Sequence, residues 1–425
     1  MATRARVWFN RHAPHSLLFG QQKQSTLSAV EHAATKPSRM TLATSCLKLL
    51  AAVAAVLVAL AATNWPMLVR KKDLWMPTRI TRNLDKCSVL DTSLFGCEDI
   101  VVHGDYAYLA CGDPVARDGW YPPALKFNKT TDTTMKDALY AYHVETKTMT
   151  RLAIHGYSGD MTLHGLNVFM HPITDASVTP TLSVFVVNHK RTGSCVDIYD
   201  HVVGSTDLHF VESVCDPLIR TPNAVAPISR KAFYVSNYLS GPEAEPKTIV
   251  LDMMLARRTS DIVFHGDDGT TRIVRQGLRG ANGLAVSDDG MMLYMAESMS
   301  GEIHAYLRNP DHSLDLAAPP LWLSFFPDNL RLVPDGLAVA GPGAFVADGS
   351  GVPTVVAAIA QGKAREMYVD ADGILMHGAS VAAVHWPSRT VLVGGPVMKG
   401  VVACPWIEEG AEVGGETAGE AKEEL

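Results

Sequence analysis

The feature that most constrains this chain is a short motif that returns along most of its length. Six apolar runs, each closing on small or polar residues and a turn, read AYLACGD, FVVNHK, FYVSNY, LYMAES, FVADGS and VLVGGP. Their second apolar positions are Tyr108, Val186, Tyr234, Tyr294, Phe345 and Leu392, separated by 78, 48, 60, 51 and 47 residues. A period of about 40–50 residues is that of a four-stranded propeller blade, a unit that buries its apolar faces only against neighbours like itself. Helical periodicity is scarce beyond residue 80, and Gly and Pro punctuate short strands throughout. Six repeats therefore predict an all-β, six-bladed β-propeller over residues 87–406. The long first gap contains Trp120 to Thr134, a Pro/Thr/Asn-rich stretch without strand pattern. It predicts an inserted loop over one face.

A second series precedes the marker runs: Cys97-Glu98-Asp99, His164-Gly165-Leu166, Pro222-Asn223-Ala224, Ala281-Asn282-Gly283 and Pro327-Asp328-Asn329. In a propeller that position opens the innermost strand, whose side chains face the central channel. Glu, Asp and three Asn brought together there offer hard oxygen donors with two negative charges. Ca²⁺, which takes 6–8 oxygens and accepts amide carbonyls, suits such a set. Zn²⁺ does not, because no Cys/His quartet has ligand spacing. The bland alternative for each residue is a turn position before a strand.

Outside the repeats, one segment sets the chain's relation to membranes. Leu49 to Ala62 is an unbroken run of 14 apolar residues, and Met67–Val69 extends it past Trp65 and Pro66. A spanning helix needs about 20 such residues. The expectation is a signal anchor over 46–69, a basic arm over 1–45, a linker over 70–86, the propeller, and an acidic disordered tail over 407–425. A buried helix or a cleaved signal peptide is the alternative, and the Arg-rich start (Arg4, Arg6, Arg11) also fits a mitochondrial presequence. The net charge of −7 is unevenly spread: residues 407–425 carry seven Glu against Lys422, while residues 1–45 carry six Lys/Arg against Glu31. With no basic stripe between them, nucleic-acid binding is excluded. Nothing in the pattern sets an oligomeric state.

Six of the seven cysteines lie in the body. Cys97 and Cys111 flank a strand–turn–strand pattern centred on Gly104, and Cys195 and Cys215 flank another centred on Ser205. Direct pairing in each hairpin puts the Cα atoms within roughly 4.5–5.5 Å, which a disulfide spans. Cys87 and Cys404 remain, at the two ends of the body. Three plausible pairs point to an oxidising lumen or exterior. Asn128-Lys129-Thr130 is a glycosylation sequon. The final Lys422-Glu423-Glu424-Leu425 resembles the K-D-E-L retrieval signal. Together these predict a single-pass type II arrangement with the propeller in the endoplasmic reticulum or elsewhere in the secretory pathway; an extracellular or mitochondrial address is the alternative.

The body also resembles a known family. Cys87 with Glu98-Asp99, His164-Gly165, Val187-Asn188-His189, Asn223, Ala281-Asn282-Gly283, Asp328-Asn329 and Gly378-Ala379-Ser380-Val381-Ala382 through Cys404 are similar, in order and spacing, to the serum paraoxonase/arylesterase family of calcium-dependent propeller lactonases and esterases. Phe326-Pro327-Asp328-Asn329-Leu330 also resembles the strictosidine-synthase-like propellers of the same superfamily. The resemblance implies that Glu98, Asn223, Asn282, Asp328 and Asn329 hold a catalytic calcium. It implies a second, structural calcium on Asp99 and the Leu166 carbonyl. There the chain departs from the family, since the carboxylate expected after Asn223 is Ala224. The resemblance further implies a catalytic pair His164 and His189, and a Cys87–Cys404 bridge closing the ring.

The expected function is calcium-dependent hydrolysis of small carboxylic esters or lactones. The metal polarises the carbonyl and His164, oriented by His189, takes a proton from water. No G-x-S-x-G elbow offers a serine nucleophile. The rival readings are a membrane-tethered binding module with structural calcium, and a strictosidine-synthase-like enzyme.

Overall fold

The computed structural model describes residues 77–408 apart from 131–132, 174, 176, 240, 242–256 and 345–350, together with Leu74 and scattered positions between 48 and 58. The chain divides into two units, Met1–Thr63 and Asn64–Leu425. In the first, Lys48, Leu50, Ala51, Ala52, Ala54, Ala55 and Val58 are helical. No helix among the described residues is long and apolar enough to cross a membrane. The expected anchor over 46–69, the basic arm and the acidic tail lie wholly or mostly outside the described residues.

Six antiparallel blades form the second unit, each numbered here from its inner strand outward. Blade one runs Asp99–His103, Tyr106–Cys111, Ala138–His143, Thr148–Arg151. Blade two runs Leu163–Met170, Thr181–Lys190, Gly193–Val202, Asp207–Val214, with Ala153–His155 added in parallel at its edge. Blade three is Pro222–Pro227, Phe233–Asn237, Ser260–His265, Thr271–Leu278; blade four is Ala281–Val286, Met292–Glu297, Glu302–Arg308, Leu314–Leu316. Leu330–Val333, Gly336–Pro342, Thr354–Ala360 and Lys363–Asp370 make blade five. Blade six takes Val381–His385, Thr390–Gly394 and Val402–Pro405 from the end of the body and Ser88–Val89 from its start. Pairing the two ends in one blade leaves the ring without an open seam.

The marker runs read as nearly continuous apolar segments because both faces of each blade are buried against neighbours. In Thr181–Lys190, Val184 and Val186 pack on blade one while Phe185 and Val187 pack on Phe233 and Val235 of blade three. The same alternation puts a buried cluster at each remaining junction: Tyr234 with Leu293 and Tyr306, Ala296 with Val339, Val356 with Val393, and Leu392 with Leu109. Period two along the strand thus becomes left and right around the ring.

All three disulfides form: Cys87–Cys404, Cys97–Cys111 and Cys195–Cys215. The Val196↔Val214 register carries Cys195 directly opposite Cys215, as expected. The first hairpin differs by one residue. Its turn is Gly104-Asp105, so Asp99 faces Ala110 and the Cys97–Cys111 bridge closes on a diagonal. Two other expectations are corrected. The second strand of blade five is Gly336–Pro342, because the tight turn Pro334-Asp335 folds the chain back at once; Phe345 follows it, outside the described residues. The insertion is not strandless either. Asp113 caps the helix Pro114–Gly119 by accepting the N–H groups of Val115 and Ala116 at 2.9 and 3.0 Å, and Trp120–Tyr121 then pairs with Lys126–Phe127.

Candidate active site at the channel mouth

The inner strands begin in a way that aims side chains into the channel. Between Leu163↔Asn188 and Leu166↔Val186 the pairing slips by one residue, as it does between Pro222↔Asn237 and Val225↔Val235, and between Ala281↔Glu297 and Leu284↔Met295. The bulged pairs are His164-Gly165, Asn223-Ala224 and Asn282-Gly283. A bulge adds one residue to a strand and re-aims its side chains, and here it recurs at one height in three consecutive blades. The glycines let adjacent inner strands approach. A Cβ on Gly165 would stand 2.2 Å from the Asn223 carbonyl oxygen, and one on Gly283 would stand 2.3 Å from that of Asp328.

The five expected channel ligands converge on one cavity of about 180 Å³: Glu98, Asn223, Asn282 and Asp328 line it, with Asn329 fully buried beneath. Each contributes one buried oxygen with no hydrogen-bond partner: Glu98 Oε2, Asn223 Oδ1, Asn282 Oδ1, Asp328 Oδ1 and Asn329 Oδ1. Buried acceptors are normally satisfied, so five orphans together demand an explanation. Two carboxylates and three amide oxygens fit a hard divalent cation. Two of the five are held by neighbours: Asn329 Nδ2 donates to Glu98 Oε1 at 2.9 Å, and Ser380 Oγ donates to the Glu98 carbonyl at 2.6 Å. Burial, with Glu98 and Asp99 close by, pushes the Asp328 carboxyl well above its ordinary range. For Glu98, burial pushes up but His164, Asn329 and Arg117 outweigh it, and the net direction is down.

The two histidines extend this set. His164 Nε2 lies 3.3 Å from Glu98 Oε1, its Nδ1 lies 2.9 Å from His189 Nε2, and His189 Nδ1 lies 3.0 Å from Ser194 Oγ. Both rings are buried, and Trp120 Nε1 donates to the His189 carbonyl at 2.6 Å. The inserted segment roofs the cavity with Tyr121, Pro122, Pro123 and Leu125, while Tyr238, Leu239, Pro396 and Val397 complete the walls.

Arg117 pins that roof. Its guanidinium pairs with Asp137, donates to the carbonyls of Gly96 and Leu163, and sits 4.2 Å above the Tyr121 ring. Asp137 in turn accepts the N–H groups of Asp113 and Leu163, each at 2.8 Å. Sequence reading missed Arg117, Asp137 and Tyr121, since nothing local distinguishes them before the chain is folded, and it gave Ser380 only as part of the closing motif. Asn128 of the sequon is exposed beside this roof, its side chain accepting from Thr130.

Asp99 and Leu166, assigned by resemblance to a second ion, sit below the cavity around a different cation. The Arg331 guanidinium pairs with the Asp99 carboxylate and donates to the Leu166 carbonyl at 3.1 Å. The donor set for a second calcium is therefore already engaged, and the residues do not fit that ion. Elsewhere, His304 of blade four lies between Glu297 and Glu302, at 3.6 and 3.5 Å. Burial pulls this imidazole down, but the two carboxylates outweigh it and hold it up at about 9. Being charged itself, it balances that cluster.

A family model described as Arylesterase matches residues 119–351. Serum paraoxonase/arylesterase 1 of Rattus norvegicus is 26% identical over 206 residues, 43% of this chain and 55% of the relative. Serum paraoxonase/arylesterase 2 of the same species is 26% identical over 245 residues, 54% of this chain and 65% of the relative. Against serum paraoxonase/arylesterase 1 of Homo sapiens the identity is 24% over 322 residues, 71% and 84% of the two chains. The first two matches thus span between half and two thirds of those relatives' length. Among solved structures, a luciferin-regenerating enzyme aligns over 75% of this chain and 94% of its own at 14% identity and a TM-score of 0.45.

Proposed function

The chain belongs to the arylesterase family, and from that membership we propose that it is a calcium-dependent hydrolase of carboxylic esters and lactones working at the channel mouth. The observation that carries the reading is the set of five orphaned oxygens beside the histidine pair. Held by Glu98, Asn223, Asn282, Asp328 and Asn329, a Ca²⁺ ion supplies positive charge where a carbonyl oxygen gains electron density during hydrolysis. The apolar walls, Pro122, Leu125, Leu239 and Val397 among them, receive the acyl or alcohol portion of the substrate and exclude bulk water.

His164 is the general base in this reading. In the tautomer with its proton on Nδ1, donated to His189 Nε2, the lone pair of Nε2 can take a proton from water, and the imidazolium so formed is paired with Glu98 Oε1 at 3.3 Å. The proton has a route onward, since Nδ1 of the resulting imidazolium can pass its own to His189. Ser194 holds the far side of that second ring through Nδ1. A metal plug alone has no use for such a relay.

The test is hydrolysis of phenyl acetate, a γ-lactone and a δ-lactone by the purified protein in calcium and in EDTA. Turnover that disappears in EDTA and returns with calcium is expected. An unchanged rate in EDTA removes the metal from the mechanism, and no turnover of any ester favours the binding module. We also propose that the propeller lies in an oxidising, secretory-pathway compartment, anchored through 46–69. The three disulfides support the compartment.

A further inference from the structure

Arg331 is an arginine on an inner strand, and 9% of its surface is exposed. Its guanidinium is spread over three blades. Nε donates to the Ile100 carbonyl at 2.6 Å, Nη1 to the Leu330 carbonyl at 2.8 Å, and Nη2 to both the Leu166 carbonyl and the Asp99 carboxylate. The other Asp99 oxygen accepts the Leu166 N–H at 2.7 Å. One side chain from blade five therefore ties together the inner strands of blades one and two beneath the cavity.

Two of its partners are the very groups that resemblance assigns to a structural calcium, and the third expected ligand is Ala224. That alanine is buried, and its N–H is taken by Ser236 Oγ at 3.0 Å. The buried arginine and the missing carboxylate compensate each other electrically. A divalent ion balanced by two carboxylates is replaced by a monovalent guanidinium balanced by one, so the buried net charge stays at zero. Geometry follows the charge: a planar fork of N–H donors satisfies carbonyl oxygens that would otherwise require an ion.

We propose that the Arg331 guanidinium is the permanent second cation of this propeller, and that the chain binds no calcium at Asp99 and Leu166. The cation that links blades one, two and five is then part of the chain itself and beyond the reach of a chelator. Among the described residues, the calcium that EDTA can remove is then the one proposed at the channel mouth.

Equilibrium dialysis against radioactive calcium tests this on the wild-type full chain and on the double variant Arg331→Ser/Ala224→Asp. The double variant should bind one ion more than wild type. Its melting temperature should fall in EGTA further than that of wild type. A wild-type protein that binds two ions overturns the proposal without any variant. So does a folded double variant with the wild-type stoichiometry. A wild type that binds none, with a double variant that binds one, would leave Arg331 in its role and remove the channel-mouth calcium of the hydrolase reading instead.

Discussion

Glu98, Asn223 and Asn282 each present an oxygen that no protein donor satisfies, and the same residues form the wall where an ester would sit. Glu98→Gln, Asn223→Ala and Asn282→Ala should each weaken calcium binding in a calorimetric titration and abolish phenyl acetate hydrolysis. Wild-type affinity and rate in all three would remove the assignment. His164→Gln should lower kcat by about 10²–10⁴-fold, the usual loss for one general base, with bound calcium unchanged; a smaller loss moves the base elsewhere. His304 makes a separate prediction about stability. Its folded value, held near 9 by Glu297 and Glu302, exceeds the roughly 6.5 of an unfolded histidine. The stabilisation is therefore complete below about pH 6.5 and lost as pH rises through about 9. Melting curves should show the wild type declining across that window and His304→Gln declining less. Parallel curves would assign the decline to other groups.

At the scale of the strand, the site depends on three bulges and on the glycines that two of them contain. Gly165 and Gly283 are placed where a neighbouring inner strand's carbonyl leaves no room for a Cβ. The clash is with backbone, so no rotamer relieves it. Gly165→Ala should displace the backbone of Asn223, and Gly283→Ala that of Asp328, each without touching a ligand side chain. A supporting-shell change of this kind typically costs roughly 10–100-fold in metal affinity. Folded variants with unchanged affinity would show that the close approach is not what positions the ligands. Asn282-Gly283 was legible as a motif in the sequence. Its physical reason, an asparagine in a bulge and a glycine under a neighbouring carbonyl, was not, because that carbonyl belongs to another blade.

Over the whole molecule, closure and address are linked through the cysteines. Ser88–Val89 completes blade six, and Cys87–Cys404 fastens the two ends of the body there, across a separation of 317 residues. Such a fastening survives only where thiols oxidise. In the proposed type II arrangement, protease added to intact microsomes should spare the propeller and trim the N-terminal arm, and removal of an N-glycan from the exposed Asn128 should shift its mobility. Digestion of the propeller in sealed vesicles would overturn the topology. The Asn128 glycan would project beside the roof of the cavity, so its enzymatic removal is also a direct probe of access to the site.

The number of blades, the two hairpin cysteine pairs and the oxygen-rich series at the start of the inner strands were legible in the amino-acid order alone. All three are local or periodic properties: an apolar run every 50 or so residues has one economical way to bury both faces, and residue type limits which ion a site can hold. Tertiary structure alone decided what lies beneath those oxygens. In the sequence, Arg331 is one polar residue in the alternation Leu330-Arg331-Leu332, indistinguishable from an arginine that faces water. It becomes a buried cation only because ring closure brings Asp99 and Leu166 to it, from 232 and 165 residues away. The roof was legible only in part. The insertion was expected over one face, but only the Arg117–Asp137 pair, buried by the packing of blades one and two, fixed it over this end of the channel.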